Sequence, residues 1–390
     1  MRLTNKPRNK LFQKGQLMST QSSRSKVRYA VVGLGHIAQV AVLPAFTSAR
    51  NSEIFALVSG DRRKRETLAK KYRVAQACSY ESYDQILSLV DAVYLALPNH
   101  LHKEYTVRAA EKGVHVLCEK PMAVTEEECE AMITAAEENR VKLMVAYRLH
   151  FEKGNLDAIR AVKTGRLGKP RIFNSEFAQQ VKANNVRVTE PVSRGGGPVY
   201  DMGVYCINAA RYLFGSEPTK VLAMSASNQD VRFRKVEEMM SAILHFPDER
   251  LASFTCSFGA ADISRYTVVG TKGVLNSDPA YEYAMDIEQE VSVAGKKSKR
   301  KYAKRDQFAA EISYFSDCIL KHRTPEPSGL EGLADVRIVR ALYESVRRGA
   351  AVGLPPFANK KKPSIVQEIH RPAHGKPKTV NAKSPTRESA

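Results

Sequence analysis

Short runs of apolar residues recur through the first part of the chain, and segments of helix length separate them. The runs are Val27–Val32, Ile54–Val58, Ala92–Leu97, Val114–Leu117 and Leu143–Ala146, and the intervening segments include Arg62–Tyr72, His102–Lys112 and Thr125–Asn139. Continuous apolar runs of this kind are typical of parallel strands that are buried on both faces. Their alternation with helices predicts a doubly wound α/β domain, which we place at residues 27–150.

After residue 170 the apolar positions alternate with polar ones. The alternating positions are Met240, Ala242, Leu244 and Phe246, then Ala252, Phe254, Cys256 and Phe258 after a turn at 247–250. A period of two predicts strands with one buried face, and two such strands around a short turn predict a β-hairpin. Helical spacing returns at Phe308, Ile312, Phe315 and Ile319. We therefore predict a second, α+β domain over residues 151–358, built on a large, mostly antiparallel open sheet.

Charge changes this picture mainly at the ends of the chain. The net charge is +20, and three segments carry the excess: residues 1–28 and 359–390 hold eight Lys/Arg each, and residues 296–305 hold seven. The remainder is nearly neutral, so the charge does not predict a nucleic-acid partner. We interpret residues 1–26 as a basic, disordered N-terminus, residues 359–390 as a basic, disordered tail and residues 296–305 as a solvated loop.

Several protein classes do not fit the sequence. No apolar run approaches the roughly 20 residues that span a bilayer, so we expect no membrane partner. The six cysteines lie far apart without a C-x-x-C pair, which predicts reduced thiols and no metal site. The apolar stretch of an export signal does not follow the basic N-terminus, so we expect a cytoplasmic protein.

A glycine-rich turn follows the first predicted strand. The sequence Gly33-Leu34-Gly35-His36-Ile37-Ala38 has the G-x-G-x-x-A form of a dinucleotide fingerprint, in the strand-turn-helix context that the motif requires. The first glycine permits the turn, the second lets the backbone approach a pyrophosphate, and Ala38 lets the helix pack close to the strand. The first domain is therefore predicted to be a Rossmann domain with Gly33, Gly35, His36, Ile37 and Ala38 at its cofactor.

The end of the second predicted strand bears on the choice between NAD and NADP. An acidic residue there would bind the ribose 2′-hydroxyl of NAD, but this strand ends in Ser59-Gly60, followed by Asp61 and then Arg62-Arg63-Lys64. A hydroxyl, a small residue and three cations suit a 2′-phosphate. The pattern favours NADP, with NAD left open because Asp61 would bind the ribose if it pointed inward.

Two further segments hold candidate catalytic residues. Glu119-Lys120-Pro121 lies where the predicted strand Val114–Leu117 would end, at the edge where doubly wound sheets bind ligands. Downstream, Asp201 and Tyr205 follow three glycines at 195–197, and their spacing of four places both on one face of a helix.

These motifs resemble the Gfo/Idh/MocA oxidoreductase family over about Arg28 to Phe357. The family's E-K-P lysine falls on Lys120, and its D-x-G-x-[HY] pair falls on Asp201 and Tyr205. The stretches most similar to glucose-fructose oxidoreductase within that family are Ala56–Gly60, Cys118–Met122, Tyr147-Arg148 and Ala210–Gly215. The resemblance implies a homo-oligomer, a dimer or tetramer, formed through the open face of the second sheet.

The resemblance also implies roles for individual residues. Lys120, Asp201 and Tyr205 would be catalytic and would bind the sugar together with Tyr147 and Arg148. The cofactor would contact Leu97, Pro98, Asn99, His102, Glu119, Lys120 and Arg148 in addition to the glycine turn and Ser59 to Lys64.

The chemistry of these residue types suits oxidation of a sugar hydroxyl. A free tyrosine has a pKa near 10, so a tyrosine base needs a nearby cation, and Lys120 supplies one. Our hypothesis is that Tyr205 removes the anomeric proton of a glucose-like aldose while hydride passes to NADP, which gives a lactone, with or without coupled reduction of a second sugar. Two alternatives stay open: an NADPH-dependent reductase of keto-sugars of the anhydrofructose type, and a catalytically silent regulator that senses NADP.

Overall fold

The computed structural model describes residues 25–358 and 363–386. The predicted N-terminal segment lies almost wholly outside the described residues. In the first domain six parallel strands form one sheet in the order β3-β2-β1-β4-β5-β6. The strands are β1 (Val27–Val32), β2 (Ser52–Val58), β3 (Gln76–Cys78), β4 (Ala92–Leu95), β5 (His115–Cys118) and β6 (Leu143–Val145). The predicted doubly wound sheet is confirmed, and only β3, which is short and partly exposed, was not predicted.

The helices of this domain lie on both faces of the sheet. They are α1 (Leu43–Ala45), α2 (Arg62–Tyr72), α3 (Tyr83–Leu87), α4 (His102–Glu111) and α5 (Glu126–Glu138). The Asp61 carboxylate caps α2 by accepting the Lys64 N–H, and the Thr125 hydroxyl caps α5 by accepting the Glu128 N–H at 3.2 Å. These caps satisfy amides that the first helical turn leaves without partners, which is why both helices begin where the sequence predicts.

The second domain contains a sheet of nine strands in the order β14-β13-β12-β11-β7-β10-β9-β8-β15. Neighbouring strands are antiparallel except for β7 and β10. The strands are β7 (Pro170–Ala178), β8 (Lys220–Ala226), β9 (Met239–Phe246), β10 (Arg250–Ser257), β11 (Ile263–Gly270), β12 (Gly273–Ser277), β13 (Ile287–Val293), β14 (Lys296–Tyr302) and β15 (Val352–Gly353). The predicted hairpin is β9 and β10, joined by a turn in which Asp248 and Glu249 have positive φ, as type I′ turns require.

Five helices accompany this sheet, and two of them also pack on the first domain. They are α6 (Lys153–Lys163), α7 (Val186–Thr189), α8 (Val204–Phe214), α9 (Gln307–Leu320) and α10 (Gly329–Arg348). The apolar face predicted from Phe308, Ile312 and Phe315 lies against Val31 and Leu57 in the core of the first domain. Helix α10 packs against both α5 and β8. The domain limits at 150 and 358 stay predictions.

The prediction of a solvated loop at 296–305 is wrong, because most of this segment is strand β14 at the edge of the sheet. Its lysines pair with carboxylates on the neighbouring strand: Lys297 and Lys299 lie 3.1 Å and 3.4 Å from Glu290. Positive charge therefore does not break this strand, since four of its five cations, Lys297, Lys299, Arg300 and Lys301, lie within ion-pair distance of carboxylates. A lysine-rich edge also opposes pairing with other chains.

The prediction of a disordered tail is wrong for the part of it that is described. Residues 363–386, which we call the C-terminal strap, lie against the folded body, with a turn of 3₁₀ helix at Ile365–Gln367. Although the segment is basic and poor in apolar residues, its backbone groups bond to fixed partners, such as the Gln39 amide at Val380. Among the described helices none combines the length and the hydropathy needed to cross a membrane.

Candidate active site

A deep cleft lies at the carboxyl ends of β1 and β4, where the strand order of the Rossmann sheet reverses and ligands bind in such folds. Its volume is about 870 Å³, within the range of small-molecule and cofactor sites. The first domain forms one wall and residues of β7 and α8 form the opposite wall. The C-terminal strap contributes Ala373, His374, Lys376, Ser384, Pro385 and Thr386.

The glycine turn has the geometry that its motif predicts. Gly33 has φ +92°, and a Cβ there would lie 2.4 Å from the Ala96 carbonyl oxygen, so only glycine fits. Gly35 faces the cleft, and a Cβ on it would meet nothing within 4 Å, which leaves open space beside the backbone. His36 and Ile37 line the cleft, while Ala38 is buried in the π-helical turn Ala38–Val42 that follows. The turn therefore fits a pyrophosphate at a helix N-terminus.

The predicted group of cations at the ribose end is only partly in the cleft. Lys64 and Ser59 line it, but the Arg62 side chain is 82% exposed and pairs with Glu66, and Arg63 is also exposed. Successive residues of a helix point in different directions, so three consecutive cations cannot all face one phosphate. Gly60, which was also predicted to contact the cofactor, does not line the cleft and lies beside the ring of Tyr80.

Asp61 does not point into the cleft. One carboxylate oxygen accepts the backbone N–H of Lys64 at 3.0 Å and the other accepts Asn381 Nδ2 at 3.1 Å. The hydrogen bond from the Lys64 backbone, together with that from Asn381, lowers the pKa of Asp61. Because the carboxylate is used as a helix cap, it is turned away from the position in which an acidic residue would bind a ribose 2′-hydroxyl.

Lys120 and Asp201 meet across the cleft from different domains. Lys120 Nζ donates to the Asp201 backbone oxygen at 2.7 Å and to Asp201 Oδ1 at 2.9 Å. Asp201 lies in a π-helical turn, Val199–Gly203, which leads directly into α8. Burial acts to raise the pKa of Asp201, but the positive charges of Lys120 and Arg187 outweigh it and hold this pKa below its usual value. The pair is therefore an ammonium and a carboxylate.

Tyr205 lies between two cations. Lys120 Nζ is 4.7 Å and Arg148 Cζ is 5.0 Å from the centre of its ring. Arg148 is buried, and its guanidinium donates to the Tyr281 carbonyl oxygen at 2.6 Å and to the Gln307 side chain. Phe177 packs on the Tyr205 ring edge to face. The phenol therefore lies at the cleft next to two fixed positive charges. From the sequence we predicted that Lys120 would lie beside Tyr205, but not that Arg148 would also do so.

Tyr147 does not line the cleft, which contradicts its predicted place in the sugar pocket. Its hydroxyl donates to Asp335 Oδ2 at 2.6 Å, inside a buried group of charges that includes Arg211 and Glu331. The ring is stacked on His150. A buried carboxylate attracts the phenol hydrogen strongly, so Tyr147 points inward while its neighbour Arg148 points to the cleft.

Asn99 and His102 lie behind the cleft wall and do not line it, which contradicts their predicted contact with the cofactor. His102 is fully buried, with ring nitrogens 3.0 Å from the carbonyl oxygens of Pro121 and Leu97. Burial lowers its pKa to about 4, so the ring is neutral at neutral pH. It joins the loops that carry Lys120 and Leu97. Of the other predicted contacts, Leu97, Pro98, Glu119, Lys120 and Arg148 do line the cleft.

Arg187 is a site residue that the sequence did not reveal. It donates to Asn99 Oδ1 at 2.5 Å, and its Nε lies 3.7 Å from Asp201 Oδ1. It therefore contacts both the first domain and the carboxylate of Asp201. No motif in the sequence marks Arg187. Its contacts with Asn99 and Asp201 form only when the chain has folded.

The comparison with known proteins agrees with this geometry. Residues 27–147 match the model of the Gfo/Idh/MocA oxidoreductase family with an NAD-binding Rossmann fold, and residues 155–276 match the C-terminal domain of the same family. The chain belongs to the Gfo/Idh/MocA oxidoreductase family. The predicted resemblance, the fold class and the expectation of a nicotinamide dinucleotide cofactor are confirmed, and the protein is an oxidoreductase rather than a silent regulator.

Members of the family with named activities are similar over most of the chain. A D-xylose 1-dehydrogenase [NADP(+)] of Haloarcula marismortui is 30% identical over 352 residues, which cover 88% of this chain and 97% of that protein. The crystal structure of an aldose-aldose oxidoreductase from Caulobacter crescentus is 37% identical with a TM-score of 0.80, and it covers 84% of this chain and 100% of that one. Four expectations stay predictions: the cytoplasmic location, the homo-oligomer, the lack of a nucleic-acid partner or a metal, and the roles of the site residues.

Proposed function

We propose that this protein is an NADP-dependent sugar oxidoreductase that oxidises a glucose-like aldose at its anomeric carbon to a lactone. The observation that carries the proposal is the phenol of Tyr205 in the cleft, flanked by Lys120 and Arg148 and one helical turn from Asp201. An aldose as substrate is supported by the names of the Haloarcula and Caulobacter relatives.

NADP is favoured over NAD by the residues at the ribose end of the cleft. Lys64 offers a cation to a 2′-phosphate, and Ser59 offers a hydroxyl. The one acidic residue of this segment, Asp61, is used as a helix cap. NADP specificity in the name of the Haloarcula relative supports the same choice.

Tyr205 is the general base in this proposal, and Lys120 positions the substrate. Bound NADP supplies the hydride acceptor of the oxidation. Tyr205 accepts the proton of the C1 hydroxyl, and the cations of Lys120 and Arg148 stabilise the negative charge that its oxygen needs for that task. Lys120 uses two of its three N–H donors on Asp201, so the third is free to bind the same hydroxyl. Asp201 holds the ammonium in place, and Arg187 lies 3.7 Å from the same carboxylate oxygen.

Replacement of Tyr205 by Phe tests this proposal. The expected result is a kcat at least ~100-fold lower with an unchanged Kd for NADPH, because a general base contributes roughly that much and the cofactor does not need the hydroxyl. Tyr80→Phe is the matched control, since Tyr80 also lines the cleft but at its ribose end. We would measure aldose oxidation with NADP and keto-sugar reduction with NADPH, which separates the two directions. Normal turnover in Tyr205→Phe would contradict the proposal.

A further inference from the structure

The C-terminal strap crosses the mouth of the cleft and returns. It first contacts the segment between β14 and α9, where the Asp306 N–H donates to the Arg371 carbonyl at 3.1 Å. It then reaches the helix after the glycine turn, where Gln39 makes two hydrogen bonds with the backbone of Val380, at 2.7 Å and 2.9 Å. It ends beside β7, where Thr386 forms an antiparallel bridge with Val181. Three separate walls of the cleft therefore hold it.

Lys376 is a cation of the strap at the cleft that contains the glycine turn. It lines the cleft together with Gly33, Gly35 and His36. Burial lowers the pKa of His36, and the positive charges of Lys376 and Lys182 lower it further. Neither lysine forms an ion pair within the described part of the chain. An ammonium group without an ion pair, in the same cleft as a glycine turn, is a suitable partner for a phosphate.

The strap also contacts the ribose end of the cleft. Asn381 Nδ2 donates to Asp61 Oδ2, which holds that carboxylate in its outward, capping position. The strap thus contacts the helix that follows the glycine turn and the segment that carries Lys64. Both contacts lie along the path that a dinucleotide would follow through a Rossmann cleft.

We propose that the C-terminal strap is the outer wall of the cofactor site, that Lys376 binds a cofactor phosphate, and that bound NADP leaves only when the strap lifts. The inference rests on the dinucleotide site of the proposed function but not on the sugar or on Tyr205. It predicts slow exchange of cofactor between turnovers, since several contacts on three walls must break together before the nucleotide is released.

A reversible cross-link tests whether the strap controls exchange. The full-length variant Val181→Cys/Thr386→Cys places a thiol on each side of the antiparallel bridge, where Cα atoms lie about 4.5–5.5 Å apart, within the range of disulfides. The variant is loaded with NADP, oxidised, dialysed and assayed for retained nucleotide by mass spectrometry. We expect release to be at least ~10-fold slower in the oxidised form and to recover on reduction.

The two single-cysteine variants are the controls, because they undergo the same oxidation without forming the cross-link. Equal release from the oxidised and reduced double variant would overturn the proposal. The same variant oxidised before NADPH is added should bind it far more slowly than its reduced form. Equally fast binding by both forms would also overturn the proposal. If no form binds NADP or NADPH at all, the proposed function fails instead, which keeps the two results distinct.

Lys376→Gln tests the phosphate contact, with Lys378→Gln as its matched control because Lys378 is exposed and does not line the cleft. We expect the Kd for NADPH to rise about tenfold in Lys376→Gln and to stay unchanged in Lys378→Gln, with a weaker dependence on salt in the first. Equal Kd values in the two variants would show that Lys376 does not bind a cofactor phosphate, and would overturn that part of the proposal. Tighter binding in Lys376→Gln would mean that the strap competes with the cofactor, which would overturn the proposal as well.

Discussion

Lys64 is the only one of three consecutive cations at the start of α2 that lines the cleft. The backbone N–H of this residue donates to Asp61, so the helix cap fixes the direction in which its side chain leaves the backbone. Arg62 is held by Glu66 one turn later, on the solvent side. Of these three cations only Lys64 lines the ribose end of the cleft, while Arg65 donates to the Ser59 carbonyl oxygen beside it. We therefore expect the preference for NADP to depend on Lys64.

Lys64→Gln should weaken binding of NADP about tenfold while leaving binding of NAD unchanged. The loss is that of one charge-assisted hydrogen bond to a 2′-phosphate, which NAD does not carry. Titration of each nucleotide by calorimetry measures both constants. Arg63→Gln removes the same charge from a side chain outside the cleft and should change neither, whereas equal losses in the two variants would show that only general electrostatics matter.

The site residues also show where prediction from sequence stops at this scale. Lys120, Asp201 and Tyr205 were predicted because each lies in a motif whose spacing is visible along the chain. Tyr147 was misplaced because its orientation depends on Asp335, a buried carboxylate 188 residues away. Arg187 was missed because Asn99, its partner in the first domain, is 88 residues away.

At the scale of elements, local signals set most of the boundaries. Strand β1 and helix α2 begin and end at the predicted residues, because one is a continuous apolar run and the other has a capping aspartate. Segment 296–305 shows the opposite case. Its own composition indicates a loop, and it is a strand because β13 offers a backbone ladder and carboxylates opposite its lysines.

Thr125→Ala should lower the free energy of unfolding by about 1 kcal/mol. The Thr125 hydroxyl accepts the Glu128 N–H, and alanine leaves this amide at the start of α5 without its partner. Urea unfolding followed by circular dichroism measures the change. Thr125→Ser keeps the hydroxyl and should retain most of the stability, so an equal loss in both variants would exclude the cap as its cause.

At the scale of the whole molecule, the second sheet has one face against helices and one open face. The open face carries large apolar side chains that are between 43% and 78% exposed: Ile172, Leu222, Met224, Ile243 and Leu251. In the strand register Leu222 lies opposite Ile243, and Ile172 lies opposite Leu251, so these residues form a continuous patch. Exposed apolar patches of this kind are typical of association surfaces, which supports the predicted homo-oligomer.

Ile243→Glu should convert that oligomer to monomers. A carboxylate in the middle of an apolar contact would be buried without a partner, at a cost of several kcal/mol. Sedimentation equilibrium measures the mass, and Leu89→Glu is the control because Leu89 is also exposed, at 40%, but lies in the first domain. A monomeric unmodified protein, or an oligomer that survives Ile243→Glu, would contradict the prediction.

The sequence by itself determined the two kinds of sheet, most strands and helices, the glycine turn and the motifs that carry Lys120, Asp201 and Tyr205. Each of these depends on residues close together in the chain, on periodicity or on a motif of fixed spacing. The tertiary structure decided which cations face the cleft, that Tyr147 points away from it, and that the basic tail lies across its mouth. The last two outcomes depend on partners more than a hundred residues away, Asp335 for Tyr147 and Gln39 for Val380, and no local pattern records such contacts.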